Sequence, residues 1–133
     1  MSHFVHSRPT ARVCHICCMC GRRIDPGETY HRTAGMDGSA AWTWKECAHC
    51  GVTASYVSQD WGLDEYDDDL LSEFGRQGGE SVAELRVAVQ YRRRWHDTHG
   101  NLYPVPIILT EPHVTAGGFS CTRTLGIRPG EAS

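Results

Sequence analysis

Four cysteines in two matching settings are the residues of this chain best equipped for chemistry. Cys17 and Cys20 are followed by Gly21, and Cys47 and Cys50 by Gly51, with twenty-six residues between Cys20 and Cys47. Two thiols three positions apart can aim both sulfurs inward around one tight turn, and a glycine tolerant of positive φ helps to close it. Two such pairs supply the four soft ligands that one tetrahedral zinc ion takes. Four protein thiolates leave no open coordination position, so the expected ion holds the fold and does not activate water.

Other donors crowd the same segments. Cys14 makes an overlapping C-x2-C with Cys17 and is an alternative ligand, but only the Cys17–Cys20 pair has the following glycine. Cys18 is expected to point away from the metal, and Cys121 stands alone. His15, His31 and His49 are ligands by type, yet each would displace a better-placed thiolate, so they are expected as surface residues. Arg22 and Arg23 can offset thiolate charge.

The elements that must position these groups follow from local pattern. Residues 1–12 have little periodicity and are expected to be a mobile tail. Asp25-Pro26-Gly27 is a turn signal, Glu28 to Thr33 can form a strand, Gly35 to Gly38 can turn the chain, and Ala41 to Glu46 reads as a second strand. Trp42 and Trp44 share one face of that strand and are expected to roof the metal site. Cys47 to Trp61 reads as a helix, with Val52 and Tyr56, and Val57 and Trp61, as apolar pairs four apart. Residues 13–61 thus form the expected zinc domain.

Residues 62–109 are expected to carry an acidic helix, an arginine-tipped helix and an extended segment. Leu63, Tyr66, Leu70 and Phe74 lie on one helical face, with Gly75 available to end the helix. The Asp67–Asp69 run matches no EF-hand frame and reads as a solvated face. After a glycine linker, Ser81 to Glu84 fits a capping box, and a helix from Val82 to about His96 has Val82, Leu85 and Val89 on its apolar rows. Arg92, Arg93 and Arg94 near its end complement the helix dipole. Tyr103-Pro104-Val105-Pro106 must be extended, because each proline biases its predecessor toward β or polyproline geometry. Residues 110–133, rich in Gly, Thr and Ser, are expected to be a disordered tail.

Knuckle, hairpin and a helix holding the second cysteine pair is the order of a treble-clef zinc finger, and residues 14–60 resemble that family through C-x2-C-G, the Ile24 to Tyr30 stretch and the Trp42 to Cys50 stretch. Residues 14–106 as a whole resemble small zinc-binding proteins of actinobacterial bacteriophages, through the four cysteines, Trp42, Trp44, the Arg92 to Trp95 run and Tyr103 to Pro106. The resemblance implies a phage or mobile-element origin and, for a phage-encoded chain, a host cytoplasmic setting. The fold class expected is therefore α+β: a small treble clef with additional C-terminal helices and disordered tails.

Composition bounds the function. No stretch reaches the roughly 20 apolar residues of a membrane-spanning helix. Seven cysteines, an odd number, and the lack of an apolar leader in residues 1–12 argue for a reducing cytoplasm. The net charge of −3 would become −3 − 4 + 2 = −5 with four thiolates and one Zn²⁺. Residues 59–85 hold nine acidic groups and one basic group, separating two mildly basic ends.

A non-enzymatic module that binds a protein partner is the first expectation, with Arg92, Arg93, Arg94, Trp95, Tyr103, Pro104 and Pro106 as candidate contact residues. Nucleic-acid binding is the alternative, through Arg22, Arg23, Arg32, Lys45, Arg86 and Arg92 to Arg94 on phosphates and Trp42, Trp44 or Trp95 on bases. An HNH-type nuclease is a third, in which His31 and His49 are the histidines in register.

Overall fold

The computed structural model describes residues 3–61 and 70–131 and is α+β. The chain divides into two compact units, Met1–Gly51 and Val52–Ser133. The boundary falls inside a helix whose first turn belongs to the first unit.

In the first unit, β4 (Tyr30–Asp37) and β5 (Ala40–Cys47) form an antiparallel hairpin. Gly38 at φ 62 takes the first central position of its two-residue turn, where a left-handed conformation matches the twist of the strands. The turn is thus confined to Gly38 and Ser39, and the expected turn residues Gly35 to Asp37 are paired strand. Their pairing partner is the expected mobile tail: β1 (His3–Ser7) adds to the outer side of β4, giving the sheet order β1-β4-β5. Gly35 lies between Phe4 and Trp42 in the register, and with no side chain there the two rings meet, centroids 5.5 Å apart. Aromatic cover over a strand glycine replaces the packing that the glycine lacks.

Two short strands, β2 (His15–Ile16) and β3 (Arg23–Ile24), pair around the first knuckle. Upstream of them, Ala11 donates to the Glu28 carbonyl and Tyr30 to the Pro9 carbonyl, so residues 9–11 are fixed as well.

Helix α1 (Ala48–Trp61) begins directly after β5. Its buried positions include Thr53, Ala54, Tyr56 and Val57, whereas Val52 is half-buried. In the second unit, α2 (Leu70–Gln77) runs through Gly75, which does not end it. A Cβ at Gly75 would meet the Tyr91 ring at 2.7 Å, so this glycine admits the ring instead. The expected acidic helix over Leu63 to Phe74 lies mainly outside the described residues, together with Asp67–Asp69. Gly78 and Gly79, both at positive φ, turn the chain into α3 (Val82–Arg92). Ser81 caps α3, its Oγ accepting from the Glu84 N–H.

The apolar face of α3 differs from the expected one. Val82 and Leu85 are exposed, and Val87 and Ala88 are buried. The helix also ends four residues early. Trp95 N–H bonds to the Gln90 carbonyl and Arg94 N–H to the Tyr91 carbonyl, the bond pair of a Schellman cap, with Arg94 and Trp95 at φ 52 and 64. This cap turns the Trp95 ring inward, where it is fully buried with its edge toward Tyr91.

The expected disordered tail is a hairpin of β6 (Ile107–Val114) and β7 (Ser120–Arg128). An isolated two-stranded hairpin is marginal in water, but β7 packs on α3 and its Ile127 is buried. Threonine, isoleucine and valine suit these strands, a preference hidden by the polar composition of the segment.

Candidate metal centre

Each cysteine pair is delivered by a different local device. The first sits in the loop between β2 and β3. Gly21 at φ 77 lets its N–H reach the Cys17 carbonyl at 3.0 Å, and Cys17 N–H bonds the Arg22 carbonyl at 2.9 Å. The second spans a strand-to-helix junction: Cys47 ends β5 and Cys50 lies in the first turn of α1.

Gly51 therefore does not act as Gly21 does. It is helical, and its missing Cβ leaves room for the His31 ring, which a methyl there would meet at 2.8 Å. The repeated C-x2-C-G motif hides two different geometries.

The sulfurs of Cys17, Cys20, Cys47 and Cys50 all lie within 4.8 Å of one another. A tetrahedral ion with metal–sulfur bonds of about 2.3 Å needs sulfurs about 3.8 Å apart, so small adjustments bring the four into coordination range. Cys17, Cys47 and Cys50 are buried and Cys20 is partly exposed. Backbone N–H groups point at the sulfurs: Cys20 N and Cys47 N donate to Cys17 Sγ at 3.5 and 3.3 Å, and Cys50 N donates to Cys47 Sγ at 3.4 Å. Amide donors stabilise negative charge on sulfur. The donor set is all thiol and mostly buried, and it fits one soft divalent ion.

Ionisation within the group is uneven. Hydrogen bonds from the Cys20, Cys47 and Cys50 thiols pull Cys17 far below the ordinary thiol range. Cys17 opposes ionisation of Cys20, but Cys47 and Cys50 still lower it. Burial, reinforced by Cys17 and Cys20, pushes Cys47 and Cys50 well above the usual value. Four touching thiols cannot all lose protons against one another's charge. With a divalent cation bound, all four can be thiolates.

Arg22 stands behind the cluster. Its side chain is 3% exposed and forms a two-armed ion pair with Glu28, at 2.8 and 3.2 Å. It also donates to the Arg23 carbonyl at 2.8 Å and approaches His49 Nδ1 at 3.5 Å. Burial opposes its charge, but Glu28 and the neighbouring Cys47 outweigh that and raise its pKa. Conversely, Glu28 resists its own partial burial: bonds from Arg22 and from the Asp25 N–H, the latter at 2.7 Å, hold its carboxyl below the usual range. Sequence patterning singled out Arg22 as a charge offset and missed Glu28, whose only signal was its place after the Asp25-Pro26-Gly27 turn.

The remaining candidates are scattered. Cys14 and Cys18 are exposed and outside the four-sulfur group. Cys18 instead ties the knuckle to β5, its N–H bonding the Lys45 carbonyl at 2.7 Å and its sulfur accepting from Lys45 N. Trp42 and Trp44 do not roof the cluster from β5. Side chains alternate along a strand, so these rings and Cys47 lie on opposite faces. Trp44 Nε1 donates to Glu46 at 2.6 Å.

His49, expected at the surface, is buried. His31 is half-buried, with its pKa lowered by burial and by Arg8.

Among the expected partner-contact residues, Arg92, Arg93 and Arg94 are exposed, but Trp95 and Pro106 are buried and Tyr103 and Pro104 are half-buried. Arg93 donates to the Tyr103 hydroxyl at 3.2 Å, and Gly130 packs against the Val105 carbonyl. The Tyr-Pro-Val-Pro segment is thus built into the second unit and is not a free polyproline ligand.

Compared with family models, curated proteins and solved structures, the chain matches none. What can be said of its class comes from the site: an α+β protein with a four-cysteine cluster able to hold a metal ion.

Proposed function

We propose that this chain is a non-enzymatic interaction module, braced by one structural zinc ion at Cys17, Cys20, Cys47 and Cys50, whose role is to bind a protein partner in a reducing cytoplasm. The first unit is taken as a treble clef, since knuckle, hairpin and helix follow in that order. Zinc is the ion favoured by four thiolates, and a coordination sphere filled by them assigns it a scaffolding role.

The observation that carries the choice of a protein partner is the internal use of groups that a nucleic-acid binder would present. Arg22 is buried against Glu28, Arg23 pairs with Asp25 at 2.7 Å, and Trp44 is bound to Glu46. Trp95 has no exposed face on which a base could stack. Large apolar side chains meanwhile face solvent, among them Val5 at 66% and Phe119 at 74% exposure. Such side chains are available for apolar contact with a protein surface.

Nucleic-acid binding remains as a second reading because Arg92, Arg93 and Arg94 all face solvent at one helix end. For nuclease activity His31 and His49 would have to converge on a second metal, yet His49 turns toward Arg22 and His31 packs on Gly51.

Affinity capture from host lysate, with and without nuclease treatment, tests the proposal alongside metal analysis. One zinc per chain and nuclease-resistant recovery of a defined protein are expected. Recovery of nucleic acid alone, lost on nuclease treatment, overturns it.

A further inference from the structure

A cleft of about 570 Å³ opens in the first unit between Pro9, Thr10, Arg12, Val13, His15 and Tyr30. Its hydrogen-bonding character is set by a chain of contacts behind its wall. Lys45 Nζ lies 3.1 Å from His15 Nδ1, and His15 Nε2 lies 3.4 Å from the Tyr30 hydroxyl. An ammonium group can only donate, so His15 Nδ1 must accept. The ring's proton is therefore on Nε2, and Tyr30 Oη is the acceptor of that second contact. The hydroxyl hydrogen of Tyr30, a residue only 5% exposed, is left without an acceptor among the described residues.

Two further polar side chains at the cleft also carry donors. The exposed Arg12 guanidinium has no ion pair among the described residues, and Thr10 contributes a hydroxyl. Glu28, the nearest acid in sequence to Tyr30, is occupied by Arg22 and the Asp25 N–H. A buried hydroxyl donor and a free guanidinium lining one cleft are complementary to an oxyanion.

From this arrangement we infer that the cleft binds a carboxylate of an acidic peptide segment, with Arg12 and Tyr30 as its direct donors and Lys45 and His15 positioning the Tyr30 hydroxyl. The inference rests on the proposed role in protein binding and names its contact chemistry. A peptide is favoured over a nucleic-acid strand for two reasons. A phosphate backbone needs a row of free cations, whereas the cleft offers one guanidinium, with Arg22 and Arg23 already paired nearby in sequence. The walls at Pro9 and the 62% exposed Val13 suit the aliphatic residue beside a carboxylate.

The test uses the full zinc-loaded chain and two probes: a blocked peptide alternating glutamate and leucine, and single-stranded oligothymidylate. Backbone amide NMR shifts and titration provide the readouts. The peptide should perturb the amides of Thr10 to His15, and Arg12→Gln and Tyr30→Phe should each weaken it about tenfold, the loss expected for one charge-assisted hydrogen bond. Arg12 is exposed and Tyr30→Phe keeps the ring, so unchanged zinc content and an otherwise unchanged spectrum are expected of both.

Perturbation by oligothymidylate and not by peptide would overturn the inference. So would peptide affinity indifferent to both substitutions, or no response at Thr10 to His15. If lysate capture of a protein survives in the Arg12→Gln/Tyr30→Phe chain, the interaction module stands and the cleft assignment falls. If the peptide binds the cleft but no protein is captured, the reverse holds.

Discussion

Replacing Arg22 with methionine should destabilise the first unit by about 3 kcal/mol. The side chain is 3% exposed and its loss strands three partners: the Glu28 carboxylate at 22% exposure, the Arg23 carbonyl and the charge developing on Cys47. Breaking a buried ion pair by removing one member typically costs about 3–5 kcal/mol. Two features place this case at the low end. Glu28 keeps some contact with water and its bond from Asp25 N, and Arg22 Nε already lacks a partner among the described residues.

Because metal binding and folding are coupled in small metal-braced units, about 3 kcal/mol should appear as a loss in zinc affinity of roughly a hundredfold. Competition with a chromophoric chelator measures that loss, and urea unfolding followed by tryptophan fluorescence measures the stability change. Arg22→Lys, which keeps charge without the two-armed geometry, should fall between.

The pH dependence has a defined sign. The folded pKa of Glu28 is lowered, so its contribution is complete above the unfolded carboxylate value of about 4.3 and is lost as pH falls through the lower folded value. The gap between wild type and Arg22→Met should therefore narrow below about pH 4. An Arg22→Met protein with zinc affinity within about threefold of wild type and an unchanged urea midpoint would refute the charge-compensation argument.

Three further outcomes are expected. Cys47→Ser should abolish stoichiometric zinc and unfold the first unit, since apparent zinc binding of about 10–16 kcal/mol in comparable modules exceeds a small unit's stability, whereas Cys14→Ser should retain the ion; metal analysis and circular dichroism decide both. Arg94→Gly should be neutral or stabilise by about 1 kcal/mol in thermal unfolding, because φ 52 strains any residue with a Cβ, while Trp95→Ala should cost about 3–5 kcal/mol. Alanine at Arg92, Arg93 and Arg94 together should change stability by less than about 1 kcal/mol, as no acid among the described residues pairs with them, and any polyanion affinity should drop; unfolding of that variant would show hidden ion pairing.

The four clustered cysteines were legible because two thiols three apart can converge through local chain geometry, whether in a turn or at a strand-to-helix junction. The capping serine of α3 was readable for the same reason, since Ser81 and Glu84 interact within one turn. Failures cluster where the deciding contact is distant in sequence. Residues 3–7 show no marked pattern, yet they are ordered by β4, roughly thirty positions away. The polar stretch after Thr110 pairs with itself and rests on α3. Gly51 and Gly75 looked like punctuation and are instead helical positions that admit the His31 and Tyr91 rings.

By itself, then, the sequence determined which atoms could gather at the centre: four sulfurs, whose spacing within each pair is short enough for backbone stereochemistry to impose convergence. Tertiary structure decided everything that depends on which side of an element meets a neighbour. It buried Arg22 against Glu28 and placed Trp42 and Trp44 on the strand face away from Cys47. It also turned Trp95 inward and aligned Lys45, His15 and Tyr30 beside an open cleft. Those outcomes follow from long-range packing, where the free energy depends on neighbours that local pattern does not specify.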